Sequence, residues 1–133
     1  MILEFFTSYA PTINNYYAKT TRGVYISAKG RAYRDTLLKD VLEQVGTIKA
    51  ISCKVRVEII VWPPDKRRRD LDNVLKSLFD AITHAGIWED DCLIDQMFVY
   101  RGQVVEGGRI YIKVTEAGPC IPEGQERIVI EDD

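Results

Sequence analysis

Residues 53–62, "CKVRVEIIVW", most narrow what this chain can become. The run alternates apolar and polar residues at first, then turns wholly apolar from Ile59, as expected of a strand buried inside a sheet rather than left at its edge. Pro63 and Pro64 end it, because proline brings no amide to a strand ladder. A central strand needs neighbours on both sides. "ILEFF" near the N-terminus reads as one strand, and "LIDQMFVYRG" and "GRIYIKVTE" as two more. The last two are expected to pair around "QVVEGG", with Gly107 and Gly108 as a hairpin turn.

Helical periodicity supplies the second layer. Ser27 is a plausible N-cap for a helix running to about Val45, whose Leu37, Leu38, Val41, Leu42 and Val45 recur at three- and four-residue steps. Gly46 fits its stop. Residues 71–85 form the clearest helix, with Leu71, Val74, Leu75, Leu78, Phe79, Ile82 and Ala85 on one stripe and Gly86 closing it. "SYAPTINNYY" reads as a loop with exposed aromatics. The expected fold is therefore mixed α/β (α+β), a small mixed sheet flanked by two main helices.

Composition matters here mainly through charge. The full chain of 133 residues carries a net charge of −2, which taken alone argues against a polyanionic partner. Residues 1–115, however, hold 17 Lys and Arg against 14 Asp and Glu, and the positive charge clusters at 29–34 and 66–69. A polyanion meets local charge, not the total. The expected division is one domain over residues 1–117 and an acidic, mobile tail over 118–133, rich in Gly, Pro and Glu. No apolar window of about 18 residues is present, and the N-terminus does not resemble a signal peptide. Cys53, Cys92 and Cys120 show no ligand spacing, so reduced thiols in a cytoplasmic protein are expected.

The densest positive charge, in "RRRDLDNVLK" at 67–76, runs straight into crowded negative charge. Asp70 stands at the expected N-cap of the second helix, Asp72 in its first turn, and Lys76 four residues on, away from the apolar stripe. Helix chemistry alone explains much of this, since an acid in the first turn is worth about 0.3–1 kcal/mol and an Asp cap about 1 kcal/mol. Two features add to it. "DKRRR" is delivered to the same loop, and "WEDDCLID" places Asp90, Asp91 and Asp95 after the helix. If that segment returns to the Asp70 end, carboxylates converge on one point, a cost that a cation removes. Oxygen ligands of this kind suit Mg²⁺ or Mn²⁺. Lys76 would neutralise charge on a phosphate, and the arginines would hold flanking phosphates.

The segments "SAKGRAYRD", "DKRRRDLDNVLKSLFDAITHAGIWEDD" and "EGGRIYIKVTE" closely resemble the RusA-type Holliday junction resolvases, over residues of about 25–117. The resemblance implies a small metal-dependent endodeoxyribonuclease that cuts four-way DNA junctions by paired symmetric cuts. It implies catalytic roles for Asp70, Asp72, Asp91 and Lys76, with Asp70, Asp72 and Asp91 holding Mg²⁺. It also implies a homodimer, and junction symmetry independently asks one small chain to act as an isologous pair. The turn after the first strand departs from the family's "PPS-x-N" pattern, reading "SYAPTINNYY".

Lys66, Arg67, Arg68, Arg69 and Asn73, with Lys29 and Arg31 on the first helix, are the expected DNA contacts; Arg34 is weighed with them. Tyr16, Tyr17 and Tyr25 read equally as base-stacking or packing rings. Trp88 reads as packing against a helix end and His84 as a surface residue. Asp90 and Asp95 stay open between ligand, supporting partner and plain surface acid. Two competing readings are a non-catalytic junction-binding module and a nucleotide-sugar enzyme with a DxD metal motif. The first gives no reason to keep the carboxylates beside a polyanion. The second needs a donor-binding domain for which the chain has no room.

Overall fold

The computed structural model describes residues 3–118, so all of the expected acidic tail beyond Gly118 lies outside the described residues. The elements are β1 (Leu3–Thr7), α1 (Ile13–Tyr16), β2 (Tyr17–Thr20), β3 (Gly23–Ile26), α2 (Ala28–Gln44), β4 (Val55–Trp62), a 3-10 turn (Leu71–Val74), α3 (Leu75–His84), a second 3-10 turn (Asp91–Leu93), β5 (Ile94–Arg101) and β6 (Arg109–Glu116). Four strands form one sheet in the order β1-β6-β4-β5, and β2 and β3 form a separate two-stranded ribbon.

The sheet is mixed, as expected: β4 runs parallel to β5 and antiparallel to β6, and β6 runs antiparallel to β1. β4 is central, as its sequence suggested, although only one of its two faces is fully buried. The pairing of the last two strands differs from the expected one. β5 and β6 do not touch as a hairpin, because β4 lies between them. Their connection instead passes over the end of β4, where Gly102 N donates to Val61 O at 2.9 Å and Val105 N to Pro63 O at 2.9 Å. A Cβ on Gly102 would overlap the Trp62 indole, so the crossing needs glycine.

One face of the sheet is the core face. Val55, Val57, Ile59 and Val61 of β4, Ile110, Ile112 and Val114 of β6, and Leu3 and Phe5 of β1 are buried there. Tyr33, Leu37 and Val41 of α2 and Leu78, Phe79, Ala81 and Ile82 of α3 join the same cluster. Burying each large apolar side chain stabilises the fold by roughly 1.5–3 kcal/mol. Leu42, expected on the α2 stripe, is half exposed. Ser27 caps α2 as the sequence suggests, its Oγ accepting from Gly30 N at 3.0 Å.

Two further differences concern local structure. The expected single helix over 71–85 begins as the 3-10 turn and becomes α-helical only at Leu75. "SYAPTINNYY" is not all loop: it contains α1 and leads into the β2–β3 ribbon. The ribbon is anchored at its base, where Ser27 N and Oγ both donate to Tyr16 O, at 2.9 and 3.0 Å.

Candidate functional site

The loop after β4 is organised by one acid. Asp65 Oδ1 accepts from Arg67 N at 2.9 Å, and the Asp65 carboxylate takes both Arg69 guanidinium nitrogens, Nη2 at 3.1 Å. The Arg69 hydrogen bonds, aided by the Arg67 amide, hold the Asp65 carboxyl down at about 2. Arg101 Nη2 donates to Arg69 O at 2.9 Å, and the Arg69 guanidinium lies 6.0 Å from the Tyr9 ring centroid. Arg69 is thus held on three sides, whereas Lys66, Arg67 and Arg68 are exposed. Tyr9, Pro63, Arg67, Arg69, Arg101 and Asp70 line one small cleft.

Asp70 occupies the N-cap position of the 3-10 turn, but its carboxylate makes no capping bond. Only its backbone oxygen is used, accepting from Asn73 N at 3.2 Å. Capping therefore does not account for this acid. Asp70, Asp72, Asn73 and Lys76 are all exposed.

Asp91 reaches the same region because the segment after α3 folds back. Trp88 is fully buried, its Nε1 donating to Thr83 Oγ1 at 2.7 Å and its ring 6.0 Å from Phe79. This confirms it as a packing residue. Glu89 N then donates to Ile51 O at 3.0 Å, and the second 3-10 turn packs on α3. Asp91 arrives within electrostatic reach of both Lys76 and Asp80. Partial burial, and then Asp90 beside it, push its carboxyl above the usual range, and Lys76 opposes them. The chain does return toward the start of α3, the alternative the sequence left open.

The other acids take distinct places. Asp90 caps the second 3-10 turn, accepting from Cys92 N at 3.0 Å, and this bond lowers its carboxyl. Asp95 pairs with Lys54 at 3.8 Å. Asp80, one turn beyond Lys76, is bound by Tyr16 Oη and by Arg34, Nη2 at 2.7 Å. Burial raises the Asp80 carboxyl, and these two partners outweigh it and hold it low. Arg34 is therefore committed to the fold. Arg31 is half committed, donating from Nη1 to Ile26 O at 2.8 Å. Lys29 is exposed and shares a shallow recess with Tyr9 and Arg69.

The donor chemistry fits a hard divalent cation: exposed carboxylates, one of them uncapped and one raised by its neighbours. The donors are not gathered around a point. Among the described residues, no three Asp, Glu, His or Cys side chains stand close enough to hold an ion.

The structure thus brings Lys76 to Asp91, and Asp70 to Arg67 and Arg69. It adds Tyr9, Asp80 and Arg101, which sequence reasoning missed as site residues. Tyr17, read from sequence as either a stacking or a packing ring, lies within reach of Asp91. Tyr16, by contrast, is wholly buried.

The family model for "Endodeoxyribonuclease RusA" matches residues 8–115. The "Crossover junction endodeoxyribonuclease rusA" of Enterobacteria phage HK97 is 42% identical over 116 residues, covering 85% of this chain and 93% of that protein. The protein named "Crossover junction endodeoxyribonuclease RusA" in Escherichia coli strain K12 is 41% identical over 112 residues, covering 81% of this chain and 90% of that protein. The relative from Enterobacteria phage 82, of the same description, is 42% identical over 112 residues, with the same coverage.

Proposed function

This chain belongs to the RusA endodeoxyribonuclease family, and on that premise we propose that it cuts four-way DNA junctions by paired, symmetric phosphodiester cleavage. The observation that carries the reading is Asp91 folding back within electrostatic reach of Lys76, while the uncapped Asp70 shares a cleft with Arg67 and Arg69 of the basic loop. Lys66, Arg67 and Arg68 are exposed and open to a polyanion, while Arg69 is preset by Asp65.

Asp70, Asp72 and Asp91 are the residues that would hold Mg²⁺ or Mn²⁺. The chemistry such an ion supplies when bound is polarisation of the phosphodiester and a lowered pKa for the attacking water. The chain's own groups do the rest. Lys76 meets negative charge developing on the cleaved phosphate. Lys66, Arg67, Arg68 and Arg69 hold the backbone beside it, with Asn73, Lys29 and Arg31 extending the contact. Asp65 holds the Arg69 guanidinium against its own loop and Arg101 holds the Arg69 carbonyl, so that less order is lost on binding.

A homodimer supplies the second cut, and the outer sheet face supports one. Phe6, Tyr111, Ile60 and Tyr100 align in register across all four strands on the face opposite the helices. Phe6 is 38% exposed and Tyr100 54%. Three aromatics and an isoleucine in one row, exposed at both ends, suit an isologous partner better than water. The domain spans residues 1–117, and a cytoplasmic setting with access to DNA is proposed; no helix among the described residues is long and apolar enough to cross a membrane.

The test is cleavage of a synthetic four-way junction beside a linear duplex of the same arms, with Mg²⁺ and with chelator. Paired cuts in the junction alone, only with the metal, are expected. Tight binding without cutting would favour the junction-binding module instead.

A further inference from the structure

We propose that the recess between the β2–β3 ribbon and α3 receives one unpaired nucleobase from the strand being cut. This rests on the junction-nuclease reading and names the part of the substrate that enters beside the scissile phosphate. The recess has a volume of about 580 Å³ and is lined by Ile13, Asn14, Tyr17, Lys19, Val24 and Lys76. That size falls within the roughly 300–1,000 Å³ of pockets that take small molecules. Lys76 is shared by the recess and by the Asp91 site, so whatever enters remains attached to the phosphate that Lys76 meets.

The lining suits a base rather than an acyl chain or a protein segment. Tyr17 offers a ring, Ile13 and Val24 apolar edges, and Asn14 an amide able to both donate to and accept from a base edge. Lys19 and Lys76 make no ion pair with any described carboxylate, leaving two cations at the recess for the attached backbone. A polyanionic strand with an aromatic base fits both features at once.

The recess is also held in shape before anything binds. The Tyr17 ring stands edge-on against Tyr16 at 4.8 Å between centroids, and Tyr16 is fixed by Asp80 and Arg34. Gly30 of α2 lets the ribbon seat closely, because a Cβ there would overlap the Tyr16 carbonyl and the Ile26 side chain. A preset ring needs little ordering to stack on a base, and the exposed tip around Arg22 lets a strand pass in. A four-way junction offers unstacked bases at its centre more cheaply than a duplex does, which would make the recess a selector for branched substrate.

The experiment uses full-length protein and four-way junctions carrying 2-aminopurine at single positions around the cleaved phosphate, bound in chelator so that no cutting occurs. Emission should change at one position only. Tyr17→Leu should abolish that change and weaken junction binding by roughly tenfold, the loss of one stacked base. Val24→Trp, on the exposed rim, should block entry while the protein melts as wild type does. Asn14→Ala should flatten the dependence of cleavage rate on the base at the responding position. No emission change at any position, or an unaltered change in both Tyr17→Leu and Val24→Trp, overturns the proposal. Cleavage by the wild-type sample on adding Mg²⁺ separates the two readings: cutting without base insertion removes the recess alone, and no cutting removes the nuclease.

Discussion

Arg69 and Asp65, four residues apart in the loop after β4, clasp each other through both guanidinium nitrogens and both carboxylate oxygens. The clasp holds Asp65 at about 2. A carboxyl depressed in the folded state stabilises it above the unfolded value of about 3.9 and stops doing so as pH falls through the folded one. Following Asp65 by NMR should therefore give a midpoint of about 2, moving up to the ordinary carboxylate range in Arg69→Ala. The same variant should bind junctions more weakly and lower the salt slope by about one unit. An unchanged slope would remove Arg69 from the DNA contacts.

Asp70 has no capping role, so replacing it should leave the helix intact. Asp70→Asn is expected to abolish cleavage, preserve or tighten junction binding, and shift stability by less than about 0.5 kcal/mol in urea. Near-normal cutting by this variant would sink the site assignment.

The crowding of Asp91 predicts a titration in metal-free protein. Burial and Asp90 raise the Asp91 carboxyl, so its charge is a liability at neutral pH and the fold gains stability as pH falls through that raised value. Asp90→Asn should lower the Asp91 midpoint, and adding Mg²⁺ should lower it further. A midpoint indifferent to Mg²⁺ would exclude Asp91 as a ligand.

Tyr16 joins α1 to α3 through Asp80, with Arg34 Nε donating to its oxygen at 2.7 Å. Tyr16→Phe keeps the ring and loses the hydroxyl between two charged groups, an expected cost of about 1.5–3 kcal/mol by urea denaturation. Because the same ring backs Tyr17, the 2-aminopurine response should broaden in this variant as well.

Tyr100 projects from β5 at the end of the aromatic row. Tyr100→Lys should shift sedimentation toward the monomer without unfolding the chain. It should convert paired junction cuts into single nicks, since each subunit retains its own site.

Much of the fold was legible because periodicity records burial. Ser27, the apolar stripe of α3 and the apolar run of the central β4 each carry a local signature that the structure keeps. Strand partnership carries none. The linker of Gln103, Val104 and Val105 crosses the end of β4 through backbone bonds that no side chain advertises, so β5 and β6 looked like a hairpin. The ribbon was hidden for a related reason: its exposure on both faces leaves "YAKT" and "GVYI" without the alternation of a half-buried strand. At the site, motif spacing pointed to Asp70, Asp72, Lys76 and Asp91. Which acids approach one another depended on the backward turn around Trp88, and spacing is silent about that.

The last described strand, β6, lies between β1 and β4 rather than at an edge. During synthesis, β1 leaves the ribosome first and has no sheet partner until β6 follows, more than a hundred residues later. The β4–α3–β5 unit bearing the acids and Lys76 can form earlier, but with one side of β4 unsatisfied. A growing chain therefore cannot complete its sheet until β6 has emerged. The order of the strands makes the segment that carries the chemistry wait for a strand made after it before its scaffold is closed.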